Sequence, residues 1–154
     1  MVADADELLV HGTCVAISGC AVLLRGAPGS GKSDLALRFI STFGAADGGT
    51  KGAVLVSDDQ VLISRNGDEL HARAPDAIAG KLEVRGVGIV NVDHLDGVRL
   101  SLIANMTRAG DVPRLPPEPA RQEQLLGVSV PVLNLNPVEP SCPVKLKLAL
   151  IGRP

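Results

Sequence analysis

Apolar residues run along the chain in short bursts broken by glycine and charge, a pattern richer in strands than in helices. TCVAI (13–17) and AVLLR (21–25), separated by SGC, predict two strands joined by a tight turn. A helix is expected from about 32 to 43, because Ala36, Phe39, Ile40 and Phe43 share one helical stripe while Asp34, Arg38 and Thr42 are polar. Gly44 ends it, and GAADGGTKG (44–52) reads as a flexible loop. AVLVS (53–57) is a fully apolar strand that runs into Asp58-Asp59. VLIS (61–64) and ELHA (69–72) flank Asn66-Gly67, a strong hairpin signal. LEVRGVGIVNV (82–92) reads as extended with two glycines inside, and VRLSLIANM (98–106) alternates as a further strand.

RAGDVPRLPPEPA (108–120) is rich in proline and charge and predicts a surface loop. QEQLLG reads as a short helix and VPVLNL (130–135) as a strand. The end, SCPVKLKLALIG, reads two ways: Val144, Leu146, Leu148 and Leu150 alternate like a strand, yet Ser141 before Pro143 is helix-start chemistry. Neither an internal repeat nor a linker divides the chain, so residues 1–154 read as one strand-rich α/β domain with one clear helix.

Length agrees, since 154 residues and 15.9 kDa suit a single domain with a real core. The sequence is 45% hydrophobic but has only two aromatic residues, Phe39 and Phe43, so the core must be aliphatic and an aromatic platform for single-stranded nucleic acid is ruled out. A net charge of −2 also argues against a nucleic-acid partner. No apolar run approaches the ~20 residues that span a bilayer, and no basic-then-apolar leader opens the chain, so the expectation is a cytoplasmic protein with no membrane partner. Cys14, Cys20 and Cys142 form no CxxC pair and read as reduced, buried thiols rather than a metal site.

The chemistry starts at GAPGSGKS, residues Gly26, Ala27, Pro28, Gly29, Ser30, Gly31, Lys32 and Ser33. It matches G-x-x-x-x-G-K-[ST] and lies between a predicted strand and a predicted helix, the context such a loop needs. Glycine lets backbone N–H groups converge on phosphate oxygens, and the helix N-terminus adds partial positive charge. Lys32 would reach the β- and γ-phosphates and Ser33 a Mg²⁺ ion. The four fixed positions arise by chance in about 1 in 100 chains of this length. Asp58 and Asp59 close the next buried strand, where a metal- or water-coordinating carboxylate belongs. Being adjacent, they point to opposite sides and should have different tasks. On pattern alone, Glu83 suits an ordinary exposed strand face as well as a site approached by ligand or backbone. His11 and Arg114, taken singly, are no more than surface residues.

Taken in order, these pieces resemble one family. His11-Gly12, the phosphate loop, SDD (57–59) and above all LEVRGVGIVN (82–91) are similar to the catalytic domain of HPr kinase/phosphorylase, over about residues 8 to 150 and in the short form without the N-terminal domain of longer members. The resemblance implies a phosphoenolpyruvate carboxykinase-like P-loop fold, a mixed and partly rolled β-sheet with helices packed against it. It implies phosphorylation by ATP of a serine in the phosphocarrier HPr, and reversal with inorganic phosphate to give pyrophosphate. Asp59 matches the family's acid–base residue, with Asp58 supporting metal or water. His11 matches a histidine near that acid and the phosphates. Lys32 matches the phosphate-neutralising lysine, Ser33 and Glu83 match the Mg²⁺ ligands, and Arg114, in DVPRLP, matches a catalytic arginine on a mobile loop. A homo-oligomer, a hexamer, is implied as well. The chain departs from the long members at 131–136, where PVLNLN replaces PV-x-PGRN and lacks its arginine. The kinase direction is therefore implied and phosphorolysis is left open. The lengthened 44–52 connection has no functional account. Alternatives are a small-molecule P-loop kinase, which should show alternating helices and strands with an Arg-rich lid, and a nucleotide-binding sensor that transfers no phosphate. A guanine-specific switch would need N-K-x-D, which is absent.

Overall fold

The structure, a computed structural model, describes residues 7–45 and 51–151. Its strands are β1 (Glu7–His11), β2 (Thr13–Ile17), β3 (Cys20–Arg25), β4 (Val54–Ser57), β5 (Gln60–Asn66), β6 (Glu69–Arg73), β7 (Lys81–Val84), β8 (Gly88–Asn91), β9 (Val98–Met106), β10 (Gln122–Leu125) and β11 (Val128–Leu135). The helices are α1 (Lys32–Phe43) and α2 (Cys142–Ile151). The predicted 44–52 loop lies partly outside the described residues, at 46–50.

The main sheet runs β1-β5-β6-β9-β3-β2-β4, with β11 beside β9 and β10 beside β11, while β7 and β8 form a separate hairpin. β3 and β11 both pair with β9 in parallel, and the other pairs are antiparallel, so the sheet is mixed. Gly12 alone separates β1 from β2, and Asp58-Asp59 alone separates β4 from β5. The two ends of the strand order are thus covalent continuations of strands further in, which rolls the sheet on itself. This is the mixed, partly rolled sheet that the family resemblance implies.

Rolling produces two aliphatic cores. Val15, Val22, Leu24, Leu55, Leu102 and Ala104 face the helices with Leu35, Ala36 and Phe39 of α1 and Cys142 and Leu146 of α2. Cys14, Ala16, Leu23, Val54, Val56, Val61 and Ile63 pack strand against strand on the other side. Burial of both faces explains why these strands read as continuous apolar runs.

Four sequence readings need correction. QEQLLG is no helix: Gln122–Leu125 is a strand, and Leu126 and Gly127, at φ 50° and 81°, turn the chain into β11. Residues 82–92 are not one extended run; Gly86 and Gly88, at φ 83° and 121°, fold them into the β7–β8 hairpin. In β9 the alternation breaks at Ser101, an extra residue between partners Ala21↔Leu100 and Val22↔Leu102, which moves Leu102 to the helix-facing core. The ambiguous end is the helix α2, so the fold has two α-helices among the described residues, besides short 3-10 turns at Asp76–Ile78 and Ala109–Asp111. The other predicted strands, the hairpin after Asn66 and the helix at 32–43 form as expected.

Candidate active site

β3 delivers the chain to the phosphate loop, and α1 leaves it. Gly29 and Gly31 adopt φ 79° and 103°, a left-handed backbone that other residues rarely tolerate. A side chain at Gly26 would also strike Ser30 Oγ, 2.5 Å from where its Cβ would stand. Gly31 is the N-cap of α1 and no side chain caps the helix, so its first N–H groups remain for a ligand. Lys32 Nζ donates to the carbonyls of Gly26 and Ala27 at 2.8 and 3.0 Å, so the ammonium bridges the mouth of the loop.

A second strand break faces this loop. The N–H of Gly12 donates to the Asp59 carbonyl at 3.1 Å, fixing the β1–β2 and β4–β5 breaks side by side. Gly12 is glycine for lack of room: a Cβ would lie 2.8 Å from the Leu24 carbonyl oxygen. Asp59 takes φ 74°, an uncommon conformation that costs about 1 kcal/mol or more and persists where surrounding structure enforces it. The buried polar residues among those described are Thr13, Ser57 and Asp58, and all three sit at this crossing. Asp58, 7% exposed, accepts hydrogen bonds at Oδ1 from Thr13 Oγ1 (2.9 Å) and Ser33 Oγ (2.8 Å), and at Oδ2 from the Glu83 N–H (3.3 Å). One carboxylate therefore ties together β2, the start of α1 and β7. Asp59, its neighbour, is exposed.

These elements wall a cleft of about 500 Å³ that is lined by the phosphate loop, Thr13, Asp58, Asp59, Glu83 and Arg85. Of the residues expected from sequence, Pro28, Gly29, Gly31, Lys32, Ser33, Asp58, Asp59 and Glu83 all line it. Gly26, Ala27 and Ser30 belong to the same loop but do not line the cleft. His11 does not line it; it is exposed at the end of β1 and opposite Gln60, the residue after Asp59. Arg114 is not brought to the cleft: it is exposed and, among the described residues, makes no side-chain hydrogen bond or ion pair. The sequence reading missed Thr13 and Arg85. Thr13 left a faint signal, a hydroxyl inside an otherwise apolar strand. Arg85 shares the face of Glu83 along LEVR.

The donor set suits a hard cation held jointly with a nucleotide. Ser33 Oγ and the Glu83 carboxylate offer oxygen ligands on the cleft that the phosphate loop enters. Among the described residues no group of three or more His, Cys, Asp or Glu could hold a metal unaided. Mg²⁺ fits that arrangement, since it commonly takes one or two carboxylates and completes its shell with phosphate oxygens and water. The cysteines stand apart. Cys14 and Cys142 are buried and all three thiols are free, and burial pushes the Cys14 thiol far up, which makes it a poor nucleophile or ligand. No helix among the described residues is long and apolar enough to cross a membrane.

Comparison with known proteins converges on one family. The family model described as HPr Serine kinase C-terminal domain matches residues 3–145. The HPr kinase/phosphorylase of Azoarcus sp. (strain BH72) is 34% identical over 142 residues, 85% of this chain and 42% of that protein. That of Acidovorax sp. (strain JS42) is 35% identical over 143 residues, with 85% and 41% covered. The chain thus spans about two-fifths of the length of these curated relatives. Among solved structures, the Hpr(Ser) kinase/phosphatase from Coxiella burnetii matches with a TM-score of 0.74 at 22% identity, covering 91% of this chain and 86% of that one, a likeness of fold.

Proposed function

Since the chain belongs to the HPr serine kinase C-terminal domain family, we propose that it is an ATP- and Mg²⁺-dependent protein serine kinase acting on HPr or a related phosphocarrier. The observation that carries this reading is the shared cleft, in which a phosphate loop, two oxygen donors for a cation and an exposed carboxylate face one another. Lys32 and the first N–H groups of α1 receive the phosphates. Ser33 and Glu83 hold Mg²⁺, which when bound neutralises charge on the phosphates. Asp58 orients Ser33. Asp59, turned into the cleft by its left-handed backbone, takes the proton of the attacking serine, a contribution of about 10²–10⁴ in rate. His11 sits one register step from Asp59 and supports it. Arg114, exposed and away from the cleft, would reach the transferring phosphoryl group when the partner docks. The reverse reaction would use the same carboxylate: inorganic phosphate attacks the phosphorus of phosphoserine, the P–O bond to the serine breaks, Asp59 returns a proton to the leaving serine oxygen, and pyrophosphate forms. A homo-oligomer, a hexamer by resemblance, working in the cytoplasm, completes the reading.

Intact-mass spectrometry of HPr incubated with the protein and Mg-ATP tests it. One added phosphate on a serine is expected, and Asp59→Asn should reduce the rate by about 10²–10⁴-fold. Unmodified HPr in the presence of ATP consumption would overturn the reading. Phosphorylated HPr and inorganic phosphate, assayed for pyrophosphate, decide the reverse direction.

A further inference from the structure

We propose that Thr13 is a positioning residue for the magnesium–nucleotide site, holding Asp58 so that Ser33 presents its oxygen to the cation. The inference rests on the nucleotide and magnesium parts of the proposed function and is independent of the protein substrate. A serine hydroxyl has one proton and two lone pairs. Ser33 gives its proton to Asp58 Oδ1 at 2.8 Å, which leaves the oxygen lone pairs for the cleft. That orientation lasts only while Asp58 is held as an acceptor. Two contacts hold it besides Ser33: the Glu83 N–H on Oδ2 at 3.3 Å and Thr13 Oγ1 on Oδ1 at 2.9 Å. The Glu83 contact is the longer and comes from a separate hairpin. The Thr13 contact comes from β2, which is buried along its whole length between β3 and β4. Thr13 is therefore the rigid side of the clamp.

Burial gives the contact its weight. Thr13 is 0% exposed and Asp58 7%, so water cannot readily replace a lost donor. The remainder of β2, Cys14 to Ile17, is apolar and belongs to the two cores. Valine, with the shape of threonine and a high strand preference, would suit that strand equally well. The hydroxyl has one described partner, and it is Asp58. Loss of the donor frees the carboxylate to turn about its side-chain torsion, and Ser33 turns with it. The cation then loses a fixed ligand, although no residue touching it has changed. Partners that orient a ligand in this way typically contribute 10–100-fold to metal affinity.

The test compares Thr13→Val with Thr13→Ser through binding of a fluorescent ATP analogue, with Mg²⁺ and with Mg²⁺ replaced by a chelator. Thr13→Val should weaken the magnesium-dependent affinity about tenfold and leave the metal-free affinity within twofold, and Thr13→Ser should bind like the wild type. In a Ser33→Ala background, Thr13→Val should have no further effect, because the route runs through Ser33. If the valine variant does not fold, as judged by circular dichroism, Thr13→Cys takes its place with the same expectation. Equal losses with and without Mg²⁺, no loss at all, or failure of the serine variant to bind normally would overturn the proposal. A wild type whose nucleotide affinity ignores Mg²⁺ would overturn it together with the magnesium reading. HPr is not used, so a protein that passes this test and leaves HPr unmodified would disprove only the substrate assignment.

Discussion

The phosphate corner and the segment 107–121 are built on opposite principles. In the corner the central polar groups are engaged from more than one side: Lys32 bridges two carbonyls of its own loop, and Asp58 draws three elements together. The segment is held to the sheet at few points. The Thr107 N–H donates to the Leu135 carbonyl at 2.8 Å, Asn134 Nδ2 donates to the Asp111 carbonyl at 3.1 Å, and at the far end the Val132 N–H donates to the Arg121 carbonyl at 2.8 Å. Between those ends nearly every residue is exposed, Leu115 at 64% among them, and Arg114 has no described partner. On the proposed reading, the difference means that nucleotide binding would be prepared in advance, whereas the transfer step would wait for groups that a docking partner brings into line.

The sharpest way to break that contrast is Arg114→Ala. If the segment serves transfer alone, kcat for HPr phosphorylation should fall about 10²–10³-fold while ATP affinity stays within threefold. Steady-state kinetics with equilibrium nucleotide binding check both. A parallel loss of ATP affinity would place Arg114 in the corner and erase the distinction.

A smaller effect concerns the staple between the regions. Arg25, the residue before Gly26, makes a two-pronged ion pair with Glu123, just beyond the segment, at 2.5 and 2.8 Å, and its Nε reaches Asn105 Oδ1 at 3.1 Å. The hydrogen bonds from the Arg25 guanidinium hold the Glu123 carboxyl below its ordinary 4.5, against a smaller opposing push from partial burial. A carboxyl whose folded value is depressed stabilises the fold above its unfolded value and loses that contribution as pH falls through the folded one. Both side chains are partly exposed, so screening limits the pair to about 1 kcal/mol, or roughly 2–4 °C in Tm. Wild type should therefore melt a few degrees above Glu123→Gln at pH 7, and the gap should close as pH drops below 4.5. A gap of constant size from pH 7 down to the acid limit of folding would show that the glutamate acts through its shape and not its charge.

The same contrast marks what could be read from the sequence. The corner was legible because each part combines a local pattern with a backbone need. The stripe of Ala36, Phe39, Ile40 and Phe43 placed α1 at 32–43, and adjacency gave Asp58 and Asp59 separate settings, one buried and one exposed. The surroundings were less legible because tertiary context overrode local preference. Gln122–Leu125 has helix-forming residues, yet Glu123 is claimed by Arg25 and the backbone by β11. In α2 the alternating leucines mimicked a strand, but only Leu146 of that set is fully buried and Leu148 is 58% exposed. Thr13 was invisible as a site residue because threonine is ordinary in strands, and only its partner across 45 positions gives it meaning.

The smallest effect follows from what the corner does not contain. On the proposed reading it grips phosphates, and no aromatic ring is free to grip a base. The sequence has two phenylalanines, no tryptophan and no tyrosine. Phe39 is 0% exposed in the core beneath α1. Phe43 presents its ring to Phe39, with centroids 5.5 Å apart, and to Lys147 Nζ, 4.7 Å from its centroid. Neither ring lines the cleft. Base stacking on an aromatic side chain is worth about 1–3 kcal/mol where it occurs, so its absence leaves affinity to the triphosphate and its cation. ATP and GTP should then compete for the protein with dissociation constants within about fivefold of each other, a gap of roughly 1 kcal/mol. Removing the γ-phosphate should cost more than exchanging the base. Competition against a fluorescent nucleotide by ATP, GTP and ADP ranks the three directly. A preference for ATP over GTP beyond about a hundredfold would require polar contacts to the adenine edge and would extend the prepared corner to the base.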